Sequence, residues 1–282
     1  MSSGDRSEWV RQYGPWAVVA GGSEGVGAEF AFQLAGAGIN LVLIARKPAA
    51  LRHTADRCRE LGVRVRELTL DLAAAGGVAQ IVEATSDIEV GLLIYNAGAN
   101  THSAEFLDGD LAAFSRVIDL NVTTPLGLIH HFGAAMRERR RGGVLLVGSL
   151  TGYLGSARQS VYGGVKAFTR IYAEGLWLEL RDHNVHVLEL VLGVTRTPAM
   201  QRVGLNFEVP GLRVSDPADV AREGLDRLPH GPVHIISAHA DSPALHAPAD
   251  RAAAVLASHR QMQKLLRGTP AAPGESDAPP PR

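Results

Sequence analysis

Pro15-Trp-Ala-Val-Val-Ala20 runs directly into Gly21-Gly-Ser-Glu-Gly-Val-Gly27, and a helical pattern continues from there to Ala37. An apolar run without polar alternation reads as a strand covered on both faces. Glycines where a strand turns into a helix let the backbone approach a bound phosphate. The helix's free N–H groups and dipole favour an anion at the same place. The spacing Gly21, Gly25, Gly27 departs from the G-x-G-x-x-G of the long dinucleotide fingerprint. A plain tight turn produces a similar string. Its position as the first unit of an alternating strand–helix series points to a nucleotide.

The series continues along the chain. Strands are expected near 16–20, 40–45, 63–69, 90–95, 143–148, 185–192 and 232–237, with helical patterns between them. Asn40-Leu-Val-Leu-Ile-Ala45 again leaves no room for polar alternation. The expectation is an α/β fold: a single-domain, Rossmann-like, doubly wound parallel sheet of about seven strands, with helices on both faces. The domain would span 1–267, with the less regular Ala199 to Val214 forming a substrate-covering flap near 195–215. A helical stretch is expected near Ala249 to Leu266. The proline-rich, polar segment 268–282 reads as a disordered tail.

Chemistry is concentrated around Val161-Tyr-Gly-Gly-Val-Lys-Ala167. Tyr162 and Lys166 stand four apart and share a helix face. A phenol ordinarily titrates near ~10, and a fixed positive charge beside it is expected to pull it towards working pH, as a proton donor to a carbonyl requires. The chain has three lysines, Lys47, Lys166 and Lys264, among 28 basic residues, so a lysine here suggests a need for a compact ammonium. A surface lysine one turn after a buried tyrosine is the plain alternative. Ser149 favours the chemical reading. It closes the apolar run Gly143-Val-Leu-Leu-Val-Gly-Ser149, so its hydroxyl lies at the carboxyl end of a central strand, where open α/β sheets bind ligands. The thirteen residues to Tyr162 suffice for a loop and a first helical turn.

With these residues in hand, the chain resembles the short-chain dehydrogenase/reductase family from about Trp16 to Ser237. The family's T-G-x-x-x-G-x-G loop appears as Ala20-Gly21-x-x-x-Gly25-Val26-Gly27, with Ser23 inside it and alanine replacing threonine. Its N-N-A-G motif appears as Tyr95-Asn96-Ala97-Gly98. The resemblance implies that Asp71, in Leu70-Asp71-Leu72, contacts adenine, and that Asn121 joins Ser149, Tyr162 and Lys166 in a catalytic tetrad. It implies a helix kinked at Asn121 around a water linking Lys166 to solvent. The motif P-G-x-V-x-T survives as Gly193 and Thr197, and Thr197 would bond a nicotinamide carboxamide. Ala45 replaces the acid usual in NAD-preferring relatives, and Arg46 follows it. A guanidinium there would grip a 2′-phosphate, which implies NADP(H) preference over NAD(H). Glu24 runs against this, since some NADP-binding relatives carry a basic residue there. The implied activity is hydride exchange between nicotinamide and a carbonyl or secondary alcohol, with most affinity to the 3-oxoacyl and hydroxysteroid reductases. The competing expectation is a sensor or scaffold that binds the cofactor without turnover.

Composition sets the remaining bounds. At 282 residues, 46% hydrophobic and 20% charged, the chain can bury a substantial core. A net charge of −1 argues against a general nucleic-acid or membrane-surface binder, and the partner that the resemblance implies is a small-molecule carbonyl or alcohol substrate. The basic cluster Arg137 to Arg141 reads as a solvated helix end. A lone Cys58 fits a reducing compartment, and the opening residues carry no apolar signal segment, so a cytoplasmic location is expected. His130-His131 face different directions on a helix, and His234 and His239 lack a carboxylate at ligand spacing. No metal site is expected. The resemblance implies a homodimer or homotetramer, built on helices around 108–138 and 157–182.

Overall fold

The computed structural model describes residues 3–242 together with 245, 255, 257 and 260. The tail after 268, and nearly all of the helix expected near 249–266, lie outside the described residues.

In chain order the elements are α1 (Ser3–Tyr13), β1 (Trp16–Ala20), α2 (Gly25–Gly36), β2 (Asn40–Ala45), α3 (Pro48–Glu60), β3 (Val65–Thr69), α4 (Gly77–Ala84) and β4 (Val90–Tyr95). There follow α5 (Leu111–Ile118), α6 (Thr124–Arg139), β5 (Gly142–Ser149), α7 (Ser160–Leu180), β6 (Val185–Leu192), α8 (Pro198–Arg202), α9 (Pro217–Arg227) and β7 (Val233–Ile235). The strands form one parallel sheet in the order β3-β2-β1-β4-β5-β6-β7. The expected strands are all present, with β3 and β7 shorter than their sequence patterns.

Residues along each strand alternate between two cores. Ala17, Val19, Leu92, Ile94, Leu188 and Leu190 pack with Phe30 and Leu34 of α2 and Val220 and Leu225 of α9. Val18, Leu93, Tyr95, Leu146 and Val187 pack with Leu128, Phe132 and Met136 of α6 and Ala173 of α7. Each fully buried large aliphatic side chain contributes roughly 1.5–3 kcal/mol, so both faces hold the sheet.

Strand order reverses between β1 and β4, and the crevice at their carboxyl ends is where such sheets receive ligands. Gly21 N donates to Ile44 O at 2.8 Å, and Asn96 N donates to Ala20 O at 3.0 Å, so the loops leaving these strands are held together.

Two features differ from expectation. Helix α1 has no strong apolar pattern, yet it closes the lower edge of the sheet. Tyr13 is fully buried with its hydroxyl 2.6 Å from His186 Nδ1, and Gln12 Nε2 donates to Gly142 O and Asn184 O. The arginine cluster is not simply solvated. Arg139 donates to Val90 O at 2.7 Å, Arg140 to Asp182 O, and Arg141 to Arg11 O and Glu89. These guanidiniums satisfy backbone carbonyls at the base of the sheet. No helix among the described residues is long and apolar enough to cross a membrane.

Candidate active site

The helix between α5 and α6 does not break at Asn121; it widens. Asp119–Thr123 form a π-helical turn. Asn121 Nδ2 donates to Val117 O at 2.9 Å, taking up the carbonyl that a regular helix would give to the backbone N–H of residue 121. The same amide reaches Ala99 O at 3.2 Å. Its Oδ1 is buried without a hydrogen-bond partner among the described residues.

That oxygen faces the end of β4. A methyl group placed on Gly98 would stand 2.8 Å from Asn121 Oδ1 and 2.3 Å from Lys166 Nζ, so glycine is required for the three to meet. Lys166 is 3% exposed, and its ammonium donates to Val147 O at 2.8 Å, near the end of β5. Beside it, Tyr95, Gly98, Asn121 and Lys166 line a cavity of about 10 Å³, the size of one water molecule.

Tyr162 lies one turn before Lys166 on α7, as the spacing predicts. Its hydroxyl is 3.5 Å from Gly98 O, and Lys166 Nζ lies 5.7 Å from its ring centroid. Ser149 ends β5 and turns its hydroxyl to Thr151, whose N–H and Oγ1 both lie at 3.2 Å. Serine, tyrosine, lysine and asparagine, drawn from β5, α7 and the π turn, thus converge at one end of the sheet.

The electrostatics correct one expectation. Lysine was expected to draw the phenol down, but burial outweighs any such pull. Tyr162 is pushed up to about 12 by burial, against an opposing hydrogen bond from Ser149. Lys166 is pushed down to about 8 by burial, with the charge of Glu189 acting against the fall.

The glycine loop fits a bound pyrophosphate. Gly21 and Gly25 hold φ of +82° and +57°, which favour glycine. A methyl group on Gly27 would lie 2.0 Å from Gly21 O and 2.6 Å from Asn96 Nδ2, so the start of α2 is packed directly on the loop. Ser23 O accepts from Thr54, Val26 is buried in the core, and Ala97 lies against Gly21. Thr197 caps α8, accepting from Met200 N at 3.2 Å, while its methyl group packs on Gly25. Gly193 is packed against the ring of His239.

Arg46 and Asp71 line a cavity of about 240 Å³ with Thr101, His102 and Arg116. Asp71 accepts from Ala73 N at 3.0 Å and from Arg116 at 2.7 Å, and these bonds keep its carboxyl below the ordinary range against the opposing effect of burial. Leu72, beside it, is buried, and its carbonyl accepts from Thr124 at 2.6 Å. Arg116 escapes sequence reading because it is one of the chain's 25 arginines, on the polar side of an amphipathic helix.

Glu24 acquires partners that its local sequence does not announce. Arg202, at the end of α8, donates to both its oxygens, one at 2.9 Å, and Lys47 stands 3.7 Å away. The irregular segment after β6 is thereby tied to the glycine loop. His234 also gains a carboxylate, Glu223 Oε1 of α9, at 2.6 Å. Among the described residues no group of three or more His, Cys, Asp or Glu side chains is arranged to hold a metal.

Comparison with known proteins identifies the family. A family model described as short chain dehydrogenase matches residues 15–206. A 7beta-hydroxysteroid dehydrogenase of Clostridium sardiniense is 30% identical over 218 residues, covering 77% of this chain and 83% of that protein. A very-long-chain 3-oxoacyl-CoA reductase of Laccaria bicolor is 34% identical over 181 residues, covering 63% of this chain and 54% of that protein, so the match spans about half of the fungal enzyme. A short-chain dehydrogenase from Sphingobium yanoikuyae, solved in complex with NADPH, superposes with a TM-score of 0.71 at 30% identity, covering 92% of this chain and 99% of the other.

Proposed function

The chain belongs to the short-chain dehydrogenase family of oxidoreductases, and on that footing we propose that it is an NADP(H)-dependent enzyme acting on a carbonyl or secondary alcohol of a lipophilic substrate, such as a 3-oxoacyl thioester or a steroid-like ketone. The observation that carries the reading is the convergence of Ser149, Tyr162, Lys166 and Asn121 at the carboxyl end of β5, beside a glycine loop shaped for a dinucleotide.

When bound, the nicotinamide supplies or accepts hydride at the substrate carbon. Gly21, Ser23, Gly25, Val26 and Gly27 would hold the pyrophosphate, with Asp71, Leu72, Asn96, Ala97 and Gly98 along the adenine and ribose, and Gly193 and Thr197 at the nicotinamide end. Arg46 lines the 240 Å³ cavity and would bind a 2′-phosphate. The NADPH-bound relative supports that preference.

In the reductive direction Ser149 donates a hydrogen bond to the carbonyl oxygen and orients it. Tyr162, pushed up to about 12, stays protonated at neutral pH and gives its proton to that oxygen as negative charge develops there. The Lys166 ammonium stabilises the phenolate left behind. Lys166 then passes a proton to the phenolate, and Asn121 Oδ1 with the cavity of about 10 Å³ offers a route by which the lysine regains one from solvent.

The test is to incubate purified protein with NADPH or NADH and a panel of lipophilic ketones and 3-oxoacyl thioesters, following nicotinamide absorbance. NADPH oxidation with at least one class is expected. Tight NADPH binding without turnover across the panel would overturn the reading in favour of a non-catalytic sensor.

A further inference from the structure

Strand β6 places an acid where its pattern calls for a hydrocarbon. Leu188 and Leu190 face the core beneath α2 and α9, and Val185 and Val187 face the core beneath α7. Glu189 alternates with the leucines and so joins the valines' face. It is 1% exposed, and its Oε2 has no hydrogen-bond partner among the described residues. An isolated buried carboxylate costs several kcal/mol unless a charge compensates it.

Its neighbours are those of the candidate active site. Glu189 Oε1 lies against Gly148, where a methyl group would stand 2.3 Å away, so a side chain there would displace the carboxylate. Gly148 joins Val147, whose carbonyl receives the Lys166 ammonium, to Ser149. Lys166, Arg170 and Glu174 recur every four residues on α7 and so share one face of the helix that packs on β6. Their charges act on the acid, which in turn acts on Tyr153 in the loop after β5. Arg170 is stacked over the Tyr153 ring, 4.4 Å from its centroid. From β5 the acid meets Leu146, its partner in register, and from β7 it meets Val233. His234 is bonded to Glu223 of α9 on the opposite face.

We propose that Glu189 is the buried counter-ion of Lys166, a positioning residue that holds the ammonium at the active site from the sheet face beneath α7. The inference rests on the catalytic reading of Lys166 given above. Burial pushes Glu189 up to about 7, and Lys166 is the first of the charges drawing it back. Burial pushes Lys166 down to about 8, and Glu189 is the charge resisting that fall. Above about 7 the carboxylate is ionised and helps lysine keep its proton; below that value the acid is neutral and lysine is charged without help. Glu189 therefore matters on the alkaline side.

The deciding measurement is a pH titration of the Glu189 carboxyl by ¹³C NMR in the full chain, assigned through its backbone connectivity. Titration near neutrality is expected, moving further upward in Lys166→Met, which removes the attracting cation. Titration near the ordinary ~4 of glutamate, or a value unmoved by Lys166→Met, would overturn the proposal. Kinetics give a second reading. Glu189→Gln keeps the shape and removes the charge, so the ratio of wild-type to variant kcat in reduction should stay near its acid-side value up to neutrality. It should then rise with pH, by about tenfold for each unit by which lysine's pKa falls. A ratio independent of pH would mark a merely structural role and sink the idea. If Glu189→Gln does not fold, the titration of wild type against Lys166→Met decides alone. If no substrate is ever turned over, the functional reading fails while the titration still judges the ion pair.

Discussion

Tyr162→Phe separates the proposed chemistry from packing. The substitution keeps the ring and deletes one oxygen. In the structure that oxygen makes a long 3.5 Å contact to Gly98 O, and its interaction with the Ser149 hydroxyl opposes the effect of burial. A typical intramolecular hydrogen bond contributes about 0.5–1.5 kcal/mol net, and the stretched contact less, so the stability loss should stay near ~1 kcal/mol. The glycine loop and Arg46, proposed to hold the cofactor, are untouched, so NADPH affinity should change less than about threefold, or ~0.7 kcal/mol. Removing a general acid costs a factor of about 10²–10⁴, equal to about 2.7–5.4 kcal/mol of barrier. The barrier penalty should therefore exceed the stability penalty severalfold. Thermal melting, fluorescence titration with NADPH and single-turnover reduction of the best ketone measure the three quantities on one preparation. A variant that reduces the ketone as fast as wild type would refute the assignment of Tyr162 as proton donor. A variant that loses activity only in proportion to a large loss of folded protein would show the hydroxyl to be structural.

Arg46→Ala should raise KM for NADPH far more than for NADH, because the guanidinium lines the cavity expected to receive the 2′-phosphate; equal effects on both cofactors would remove the basis for NADP(H) preference. Gly98→Ala should push the Lys166 ammonium off Val147 O, since a methyl group would stand 2.3 Å from Nζ. A lost charged hydrogen bond of about 1.5–3 kcal/mol should appear as a lowered melting temperature together with depressed kcat, and wild-type kinetics would show the lysine position to be unimportant. Helix α7 leaves Ile171 and Leu178 60% and 62% exposed, so light scattering at micromolar concentration should report a homodimer or homotetramer. Ile171→Glu with Leu178→Glu should shift it towards monomer, whereas a monomeric wild type would contradict the proposed assembly.

Strands β1, β2 and β4 were legible because each is covered on both faces and reads as a nearly unbroken apolar run, and a run such as Asn40–Ala45 needs no partner to be recognised. Spacing likewise placed Tyr162 and Lys166 on one face of α7, because helix geometry is a property of the local chain. Family resemblance implied a kink at Asn121, whereas the helix widens there into a π turn, with the Asn121 side chain taking up Val117 O. Helix α1 was missed because its few apolar residues, Trp9, Val10 and Tyr13, gain meaning only against the base of the sheet. Glu24 looked like an acid in the wrong place until Arg202, 178 residues away, folded onto it.

Taken alone, the sequence determined the alternating strand–helix order from β1 to β7 and put Tyr162 and Lys166 on one helix face, since periodicity and spacing act over a few residues. Only the tertiary structure decided how those residues are tuned. Whether Tyr162 is raised or lowered, and whether Glu189 is a solvated acid or the buried neighbour of Lys166, depends on desolvation and Coulomb attraction between groups from different elements. Those forces act through space, and the partners do not exist until the sheet and α7 close on one another.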